Sequence, residues 1–407
     1  MHVSTTHSLP ILIVGGGIGG AATALALANK GFRSHVLEQA EDFREVGAGI
    51  QMPPNAFKVF RQLGVVDAMS AVAAFPENLI HMDMLTGRPI IRVPVGDEFV
   101  SRFEFPYSVM HRGDLLECLL DACRASGMVR LQTSARVSSF SEHDGRVSVF
   151  LEGGEAIEGA ALIAAEGLWS KIREELLQDG PPRTDGYVVY RGVLPRSDLP
   201  DHLYSNSVTM WGGPDLDLSH YPLRRGEVFN IAACYRDPNF KAGQPYPSGD
   251  RETLRHYYRD TCDKTREYVD IVDAERTWVI YDRVPVKHWH RGLVALLGDA
   301  AHPAYNYIAQ GACMALEDAI TLAAEFARAD TVEAAFHAYV NRRYLRTARV
   351  QLVSRQFGEI YHASAVNREL RNQLLSDAPP RILLDTLAWV FNGVDPEARP
   401  DTIEYAA

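Results

Sequence analysis

The sequence has few cysteines and no long apolar run. Its 407 residues include five cysteines with no C-x-x-C pair: Cys118, Cys123, Cys234, Cys262 and Cys313. An odd, scattered set argues against a disulfide framework and predicts reduced thiols in a cytoplasmic protein. No stretch of about 20 apolar residues is present, so no membrane span is expected. The short apolar run near the N-terminus continues into a glycine turn, so we interpret it as a strand rather than a signal peptide.

Blocks of positive charge are also missing. The formal net charge is -11, and no cluster of lysine and arginine stands out. Nucleic acid is therefore not an expected partner. Neither an internal repeat nor a low-complexity tract is found. With 46% hydrophobic and 23% charged residues, the composition instead fits a globular protein with a sizeable core and two or three domains.

A glycine turn follows the first apolar run. The chain passes from this predicted strand through Gly15-x-Gly17-x-x-Gly20 into a helix rich in alanine and leucine. The first glycine permits a tight turn, the second lets the backbone approach a pyrophosphate, and the third allows close helix–strand packing. The next strand ends at Glu38, where a carboxylate can accept hydrogen bonds from ribose hydroxyls. The unit predicts a dinucleotide site; the alternative is a glycine-rich turn without a ligand.

A second glycine turn follows the apolar run 294–297. Asp299 comes directly after Gly298 and precedes a predicted helix, so its carboxylate can bind a polyol such as a ribityl chain. The alternative is that Asp299 only caps that helix. The first turn does not distinguish FAD from NAD, because both cofactors use it. The second turn favours FAD, held from two distant parts of the sequence.

The order of the predicted elements indicates an α/β fold made of discontinuous parts. Short alternating runs over 185–282 predict an antiparallel sheet, whereas 112–125, 311–327 and most of 333–376 have helical periodicity. We predict a Rossmann-like FAD-binding domain, an inserted antiparallel-sheet substrate domain and a helical C-terminal segment. The predicted boundaries are 1–75, 105–180 and 285–345 for the FAD-binding domain, 76–104 and 181–284 for the substrate domain, and 346–407 for the C-terminal segment.

Three segments together resemble a known enzyme family. They are Gly15 to Gly20, the segment Gly298-Asp299-Ala300-Ala301-His302-Pro303, and Glu317-Asp318-Ala319. This combination resembles the single-component flavin aromatic hydroxylases, which are similar to p-hydroxybenzoate hydroxylase in fold and to salicylate hydroxylase in sequence. The resemblance implies FAD as cofactor, NADH or NADPH as reductant, O2 as oxygen source and hydroxylation through a C4a-hydroperoxyflavin. It also implies a possible homodimer.

The resemblance assigns roles to several residues around the cofactor. Arg112, after His111 at the head of a predicted helix, corresponds to an arginine beside the FAD phosphates; a solvated arginine at a helix end is the alternative. The glycine-bearing stretch 45–50 resembles the loop alongside the flavin. The N–H groups of Gln310, Gly311 and Ala312 open a helix and can stabilise charge at the flavin N1–C2=O edge. Pro303 is expected beside the flavin, with His302 packed next to it.

The family's middle motif pairs an aspartate and a glycine with a nearby serine and arginine. This chain carries Glu166 in place of the aspartate, followed by Gly167, Ser170 and Arg173. The resemblance implies that the motif serves both FAD and the pyridine nucleotide. The Glu166 side chain is one methylene longer than that of aspartate, which changes the position of the carboxylate available to the reductant. The alternative is a helix start with Ser170 and Arg173 on its surface.

Within this family the chain most resembles the 3-hydroxybenzoate 6-hydroxylases. The resemblance implies conversion of 3-hydroxybenzoate to gentisate, with a salicylate-type or other hydroxy-aromatic acid hydroxylase as the alternative. A flavin oxidase without hydroxylation and a catalytically silent FAD scaffold are further alternatives. The chain departs from these enzymes at Asp217, His220 and Asn306, which are expected to line the ring pocket. The matching segments are 187–192, 220–224, 307–315 and 358–362.

Three residues are the candidates for substrate chemistry. His220 and Tyr221 lie on a predicted strand with side chains on opposite faces, so only one can face the flavin. The resemblance favours Tyr221; a core tyrosine and a surface histidine are the alternatives. Asn306, near the expected flavin ring, can bind polar groups of the substrate or be a plain turn residue. His288 and His290 lack a nearby cysteine or acid, so no metal is expected.

Overall fold

The computed structural model describes residues 9–44, 48–241 and 249–398. Part of the stretch expected to run alongside the flavin, residues 45–47, lies outside the described residues. None of the helices in the described ranges is both long and apolar enough to cross a membrane.

The helices are numbered in chain order. They are α1 (Ile18–Asn29), α2 (Pro54–Leu63), α3 (Val66–Val72), α4 (Asp97–Phe103), α5 (Arg112–Ser126), α6 (Lys171–Leu177), α7 (Arg251–Tyr258), α8 (Asp263–Ile271), α9 (Gly311–Arg328), α10 (Val332–Tyr361), α11 (Ala365–Ser376) and α12 (Arg381–Phe391).

The strands form four sheets. In chain order they are β1 (Ile11–Val14), β2 (Ser34–Leu37), β3 (Gly49–Met52), β4 (Asn78–Asp83), β5 (Pro89–Pro94), β6 (Ser108–His111), β7 (Val129–Gln132), β8 (Val137–His143), β9 (Arg146–Leu151), β10 (Ala156–Gly159), β11 (Ala161–Ala164), β12 (Tyr187–Pro195), β13 (Ser207–Gly213), β14 (Leu216–Leu223), β15 (Val228–Arg236), β16 (Thr277–Val279), β17 (His290–Arg291) and β18 (Val294–Leu296).

A six-stranded sheet carries both glycine turns. Its order is β17-β18-β11-β1-β2-β7. Each strand from β18 to β7 in this order pairs in parallel with the next. The central strands are fully buried because α1 packs against β1 and β2, while the three-stranded sheet of β8, β9 and β10 packs against β1 and β11. Cover on both faces explains their continuous apolar sequences. Parallel strands end at the same edge, so the turns after β1 and β18 lie on either side of the end of β11.

A seven-stranded sheet faces this edge. Its order is β16-β12-β15-β14-β13-β4-β5, and its pairs are antiparallel except for β13 and β4. The parallel pair arises because β4 and β5 come from a separate stretch of chain. Helices α7 and α8 pack their apolar residues against the outer side of this sheet. Neither helix is predicted from the sequence, because both are short and lie between strands with a similar apolar content.

The α/β class with an inserted sheet is confirmed, and the domain boundaries stay a prediction. The FAD-binding domain was expected to end at 345, yet α10 runs without a break over Val332–Tyr361. The predicted boundary between 345 and 346 therefore falls inside a continuous helix. The boundaries stay a proposal, which the separate strand memberships of the two large sheets support.

Candidate active site

One cavity lies where the glycine turns meet the seven-stranded sheet. Its volume is about 340 Å³. A larger hollow of about 810 Å³ lies elsewhere and includes neither glycine turn in its wall. The sequence-predicted site residues that line the smaller cavity are Gly17, Arg112, Tyr221, Asp299, Asn306, Gly311 and Ala312.

The first glycine turn is packed too closely for side chains. Gly15 has a φ of +106°, and a Cβ there would lie 2.3 Å from the carbonyl oxygen of Ala165. A Cβ on Gly20 would lie 1.9 Å from the carbonyl oxygen of Gly15. Gly17 is the residue before α1 and lines the cavity. Gly15 and Gly20 therefore shape the turn, while Gly17 and the free N–H groups of α1 are available to a pyrophosphate.

Glu38 ties the end of β2 to the same turn. Its Oε2 accepts a hydrogen bond of 2.7 Å from the N–H of Gly16, and its Oε1 accepts one of 2.9 Å from the N–H of Ala40. The carboxylate is half-buried beside the turn but does not line the cavity. Its predicted role in holding the ribose stays a prediction.

At the second turn Asp299 faces the cavity rather than capping a helix. Helix α9 begins at Gly311, and Gln310 occupies its N-cap position. The Asp299 side chain makes no hydrogen bond to any described residue, and burial raises the pKa of its carboxyl although the cavity leaves it accessible. A Cβ on Gly311 would lie 3.8 Å from Asp299 Oδ1, so this carboxylate stands beside the α9 N-terminus. The helix-cap alternative is therefore excluded.

The middle motif supports the second turn from behind. Ser170 caps α6 by accepting a 3.0 Å hydrogen bond from the N–H of Arg173, and its hydroxyl donates to Glu166 at 2.5 Å. The Arg173 guanidinium is buried, pairs with Asp179, and donates to the carbonyl of Ala300 at 2.8 Å. Arg173 is therefore neither on the helix surface nor in the cavity: it anchors the segment that carries Asp299.

Tyr221 and Asn306 are the candidate substrate residues that reach the cavity. The Tyr221 ring is buried, which raises the pKa of its phenol. The backbone of Gly49 lies against this ring, since a Cβ there would lie 2.5 Å from Tyr221 Cε2. Asn306 begins a short 3-10 turn and also borders a smaller apolar recess of about 110 Å³ next to the cavity. Their catalytic roles stay predictions.

His220 faces away from the cavity, so its predicted contact with the substrate is wrong. Its ring stacks on Tyr268 with 4.4 Å between centroids and lies 5.4 Å from Phe229, in the core beneath α8. Desolvation by burial lowers the pKa of His220 to about 3, and both ring nitrogens are without a hydrogen-bond partner among the described residues. The physical reason is the alternation of β14, which directs Tyr221 inward and His220 outward.

Two further expectations differ from the structure. Pro303 is buried and lies outside the cavity wall, where its carbonyl accepts a 2.9 Å hydrogen bond from Gln351. Asp217 shares the inner face of β14 with Tyr221, but its carboxylate lies 2.8 Å from His362 Nε2 rather than lining the cavity. Gln351 lies on α10 and His362 directly follows its last residue, both far along the chain, so the sequence offered no local signal for either contact.

A buried ion network behind the second turn was also missed. Asp318 accepts from Arg343 Nε at 2.6 Å and from the N–H of Gly298 at 3.0 Å, and its carboxylate lies 2.6 Å from His302 Nε2. Arg343 also donates to Glu317 at 2.8 Å. Burial opposes ionisation of Asp318, but His302 and Arg343 outweigh it and lower its pKa to about 2. The network holds the backbone of Gly298, and through it the position of Asp299.

We expect Arg343→Met to lower the free energy of unfolding by about 3–5 kcal/mol, because it removes the counter-charge that two buried carboxylates share. Arg328→Met is the matched control, since Arg328 forms its ion pairs at the surface with side-chain exposure of 36%. The control should cost less than about 1 kcal/mol. Urea denaturation at neutral pH and saturating FAD measures both. Equal losses for the two variants would contradict the assignment of a central role to the network.

The cavity fits FAD on three grounds. The glycine turn admits a close backbone approach, the N-termini of α1 and α9 both open onto the cavity, and Asp299 offers a carboxylate with no protein partner among the described residues. Arg112, at the start of α5, adds a cation to the wall. No group of three or more metal-ligating side chains is found within the described ranges.

Known proteins match the chain over nearly its whole length. A family model described as FAD binding domain matches residues 8–353. The 3-hydroxybenzoate 6-hydroxylase of Polaromonas naphthalenivorans (strain CJ2) is 40% identical over 389 residues, 94% of this chain and 96% of that enzyme. The 6-hydroxynicotinate 3-monooxygenase of Bordetella bronchiseptica is 31% identical over 84% of this chain and 90% of that enzyme.

A solved structure agrees with this match. Klebsiella pneumoniae HpxO complexed with FAD and uric acid superposes with a TM-score of 0.84 at 26% identity, covering 96% of this chain and 98% of HpxO. The matches span both large sheets and both glycine turns. This chain therefore belongs to the family of FAD-dependent aromatic-ring monooxygenases, and FAD is its cofactor.

Proposed function

We propose that the protein hydroxylates 3-hydroxybenzoate to gentisate with NADH or NADPH and O2. Its full-length similarity to an enzyme named for 6-hydroxylation of this acid carries the proposal. When bound, the flavin would take up the reducing equivalents of NADH or NADPH and activate oxygen for transfer to the ring. The protein has to hold the ring in one orientation and keep water away from the reacting atoms.

Tyr221 is proposed to orient the ring acid. Burial raises the pKa of its phenol, so the hydroxyl keeps its proton at neutral pH and can donate a hydrogen bond to an anionic oxygen of the substrate. Asn306 lies on the same cavity and offers both an amide donor and an acceptor to a ring hydroxyl. The N–H groups at the start of α9 are proposed to stabilise negative charge on the flavin pyrimidine ring.

The proposal is tested by NADH and NADPH oxidation with a panel of 3-hydroxybenzoate, salicylate and 4-hydroxybenzoate, with products identified by mass. We expect a yellow protein, the fastest oxidation with 3-hydroxybenzoate, and gentisate as the product. Faster turnover of another ring acid would keep the reaction and replace the substrate. Reductant consumption that yields only H2O2 with every acid would overturn hydroxylation and favour the oxidase alternative.

A homodimer and a cytoplasmic location belong to the same proposal. Helix α11 exposes three apolar side chains at four-residue spacing, Val366 at 73%, Leu370 at 50% and Leu374 at 61%, a stripe that two copies can bury. Light scattering of the purified protein measures the dimer, and a monomer at micromolar concentration would exclude it.

All five cysteines are free thiols, which supports a reducing compartment. Fractionation of the producing cells tests that location.

A further inference from the structure

Arg191 is a cation on the cavity wall whose guanidinium has no acidic partner among the described residues. It lies on β12, and its side chain lines the cavity. No hydrogen bond or ion pair joins it to any described residue. Burial and then repulsion from Arg112 lower its pKa, and the attraction of the Asp217 carboxylate offsets them only in part. Arg191 is half-buried, whereas three buried arginines each hold a carboxylate: Arg173 with Asp179, Arg343 with Asp318, and Arg371 with Asp83. A partly desolvated cation without a counter-ion in contact is costly, so this position calls for an anion.

The sheet around Arg191 forms a recess with a small-residue floor. Arg191 pairs across the strands with Ala232, Ala232 with Ser219, and Ser219 with Met210. Directly paired residues point to the same face of a sheet, and all four line the cavity. Ala232 and Ser219 are small and form the floor between Met210 and Arg191. Tyr221 stands in the next row.

The recess lies on a different wall of the cavity from the features that suit the cofactor's phosphates. An anion bound at Arg191 is therefore assigned to the substrate. The features suited to a pyrophosphate, the first glycine turn and the α1 N-terminus, belong to the six-stranded sheet. Arg191, Ser219 and Ala232 belong to the opposite wall, together with Tyr221. A planar ring resting on the floor would place an acidic substituent at the Arg191 end.

We infer that Arg191 binds the carboxylate of the aromatic substrate and so selects ring acids over neutral phenols. This inference rests on the proposed function for the class of ligand, and it adds the residue that recognises the acid group. A guanidinium suits this task because its planar donor fork matches a carboxylate in two parallel hydrogen bonds.

The test compares acidic and neutral ligands of the same ring. FAD-loaded wild-type protein, Arg191→Gln and Arg191→Lys are titrated with 3-hydroxybenzoate, benzoate and 3-hydroxybenzamide, and binding is followed by the flavin absorbance. We expect Arg191→Gln to raise the Kd of both acids by about 10- to 100-fold, the loss typical of a hydrogen-bonded charge. The Kd of the amide should change less than about threefold. Arg191→Lys should lie between, because lysine keeps the charge but not the fork.

Arg92→Gln is the matched control, since Arg92 is exposed on β5 of the same sheet. It should leave all three Kd values unchanged.

Equal weakening of acids and amide by Arg191→Gln would overturn the inference and leave hydroxylation intact. Loss of FAD from both Arg191 variants on gel filtration would overturn it in favour of a phosphate contact. Arg191-dependent binding of benzoate without gentisate formation would overturn only the proposed reaction. If wild-type protein binds no aromatic acid, both proposals fail.

Discussion

Protein carrying Gly15→Ala is expected to be purified without FAD and to lose about 100-fold or more of its hydroxylation activity. The new Cβ would lie 2.3 Å from the carbonyl oxygen of Ala165. The φ of +106° adds strain of about 1–3 kcal/mol for a residue other than glycine. Because the overlap is with backbone, it is relieved only if the ends of β1 and β11 separate. That shift moves the turn and the start of α1 away from the pyrophosphate.

Flavin content after gel filtration and the rate of NADH oxidation measure this effect. Gly153→Ala is the matched control, because nothing lies within 4 Å of a Cβ at that position. Gly153 lies in the turn between β9 and β10, remote from the cavity wall. The control should retain FAD and activity within about twofold. A Gly15→Ala protein with full flavin content and unchanged activity would show that the first turn does not bind the cofactor.

The second large effect is expected from two neighbouring positions on β14. Tyr221→Phe should lower kcat/KM for the ring acid by about 10- to 100-fold, because one hydrogen bond to an anionic oxygen is lost without a change in shape. His220→Phe should leave kcat/KM within about twofold. Its ring is packed against Tyr268 and Phe229 outside the cavity, and the replaced nitrogens have no hydrogen-bond partner among the described residues.

Steady-state kinetics with product analysis distinguishes the two outcomes. A drop in gentisate yield with continued NADH oxidation in Tyr221→Phe would mean that the ring is bound but poorly oriented. Thermal unfolding of both variants checks that neither loss reflects an unfolded protein. If His220→Phe abolishes hydroxylation while Tyr221→Phe does not, our placement of β14 relative to the flavin is wrong.

Features built from neighbouring residues could be predicted from local patterns in the sequence. The glycine spacing predicted the first turn, and the positions of Gly15 and Gly20 show why only glycine fits there. The alternation of β14 predicted that Tyr221 and His220 point to opposite faces. Which of these two side chains points into the cavity depends on how the sheet packs. The residues alone left this question open, and the resemblance to the family favoured Tyr221.

Contacts between distant segments had no signal in a single sequence. His362 lies 145 positions from Asp217 and yet holds its carboxylate. Arg173 reaches the carbonyl of Ala300 across 127 positions. Nothing in the spacing of these residues distinguishes a buried tether from a surface charge. The continuity of α10 across the predicted boundary at 345 also had no local signal, because a helix keeps its regular period whichever domain it packs against.

By itself, the sequence determined the class of protein: an FAD-binding α/β fold with two glycine turns and an inserted sheet. These features depend on backbone conformation and side-chain period, which are local properties of the chain. Tertiary structure alone decided which charges are satisfied within the protein and which face the cavity. Arg343, Arg173 and Asp217 have protein partners, whereas Asp299 and Arg191 face the cavity without such a partner among the described residues. The physical reason is that pairing depends on distances between residues remote in sequence, and these exist only once the sheets have packed.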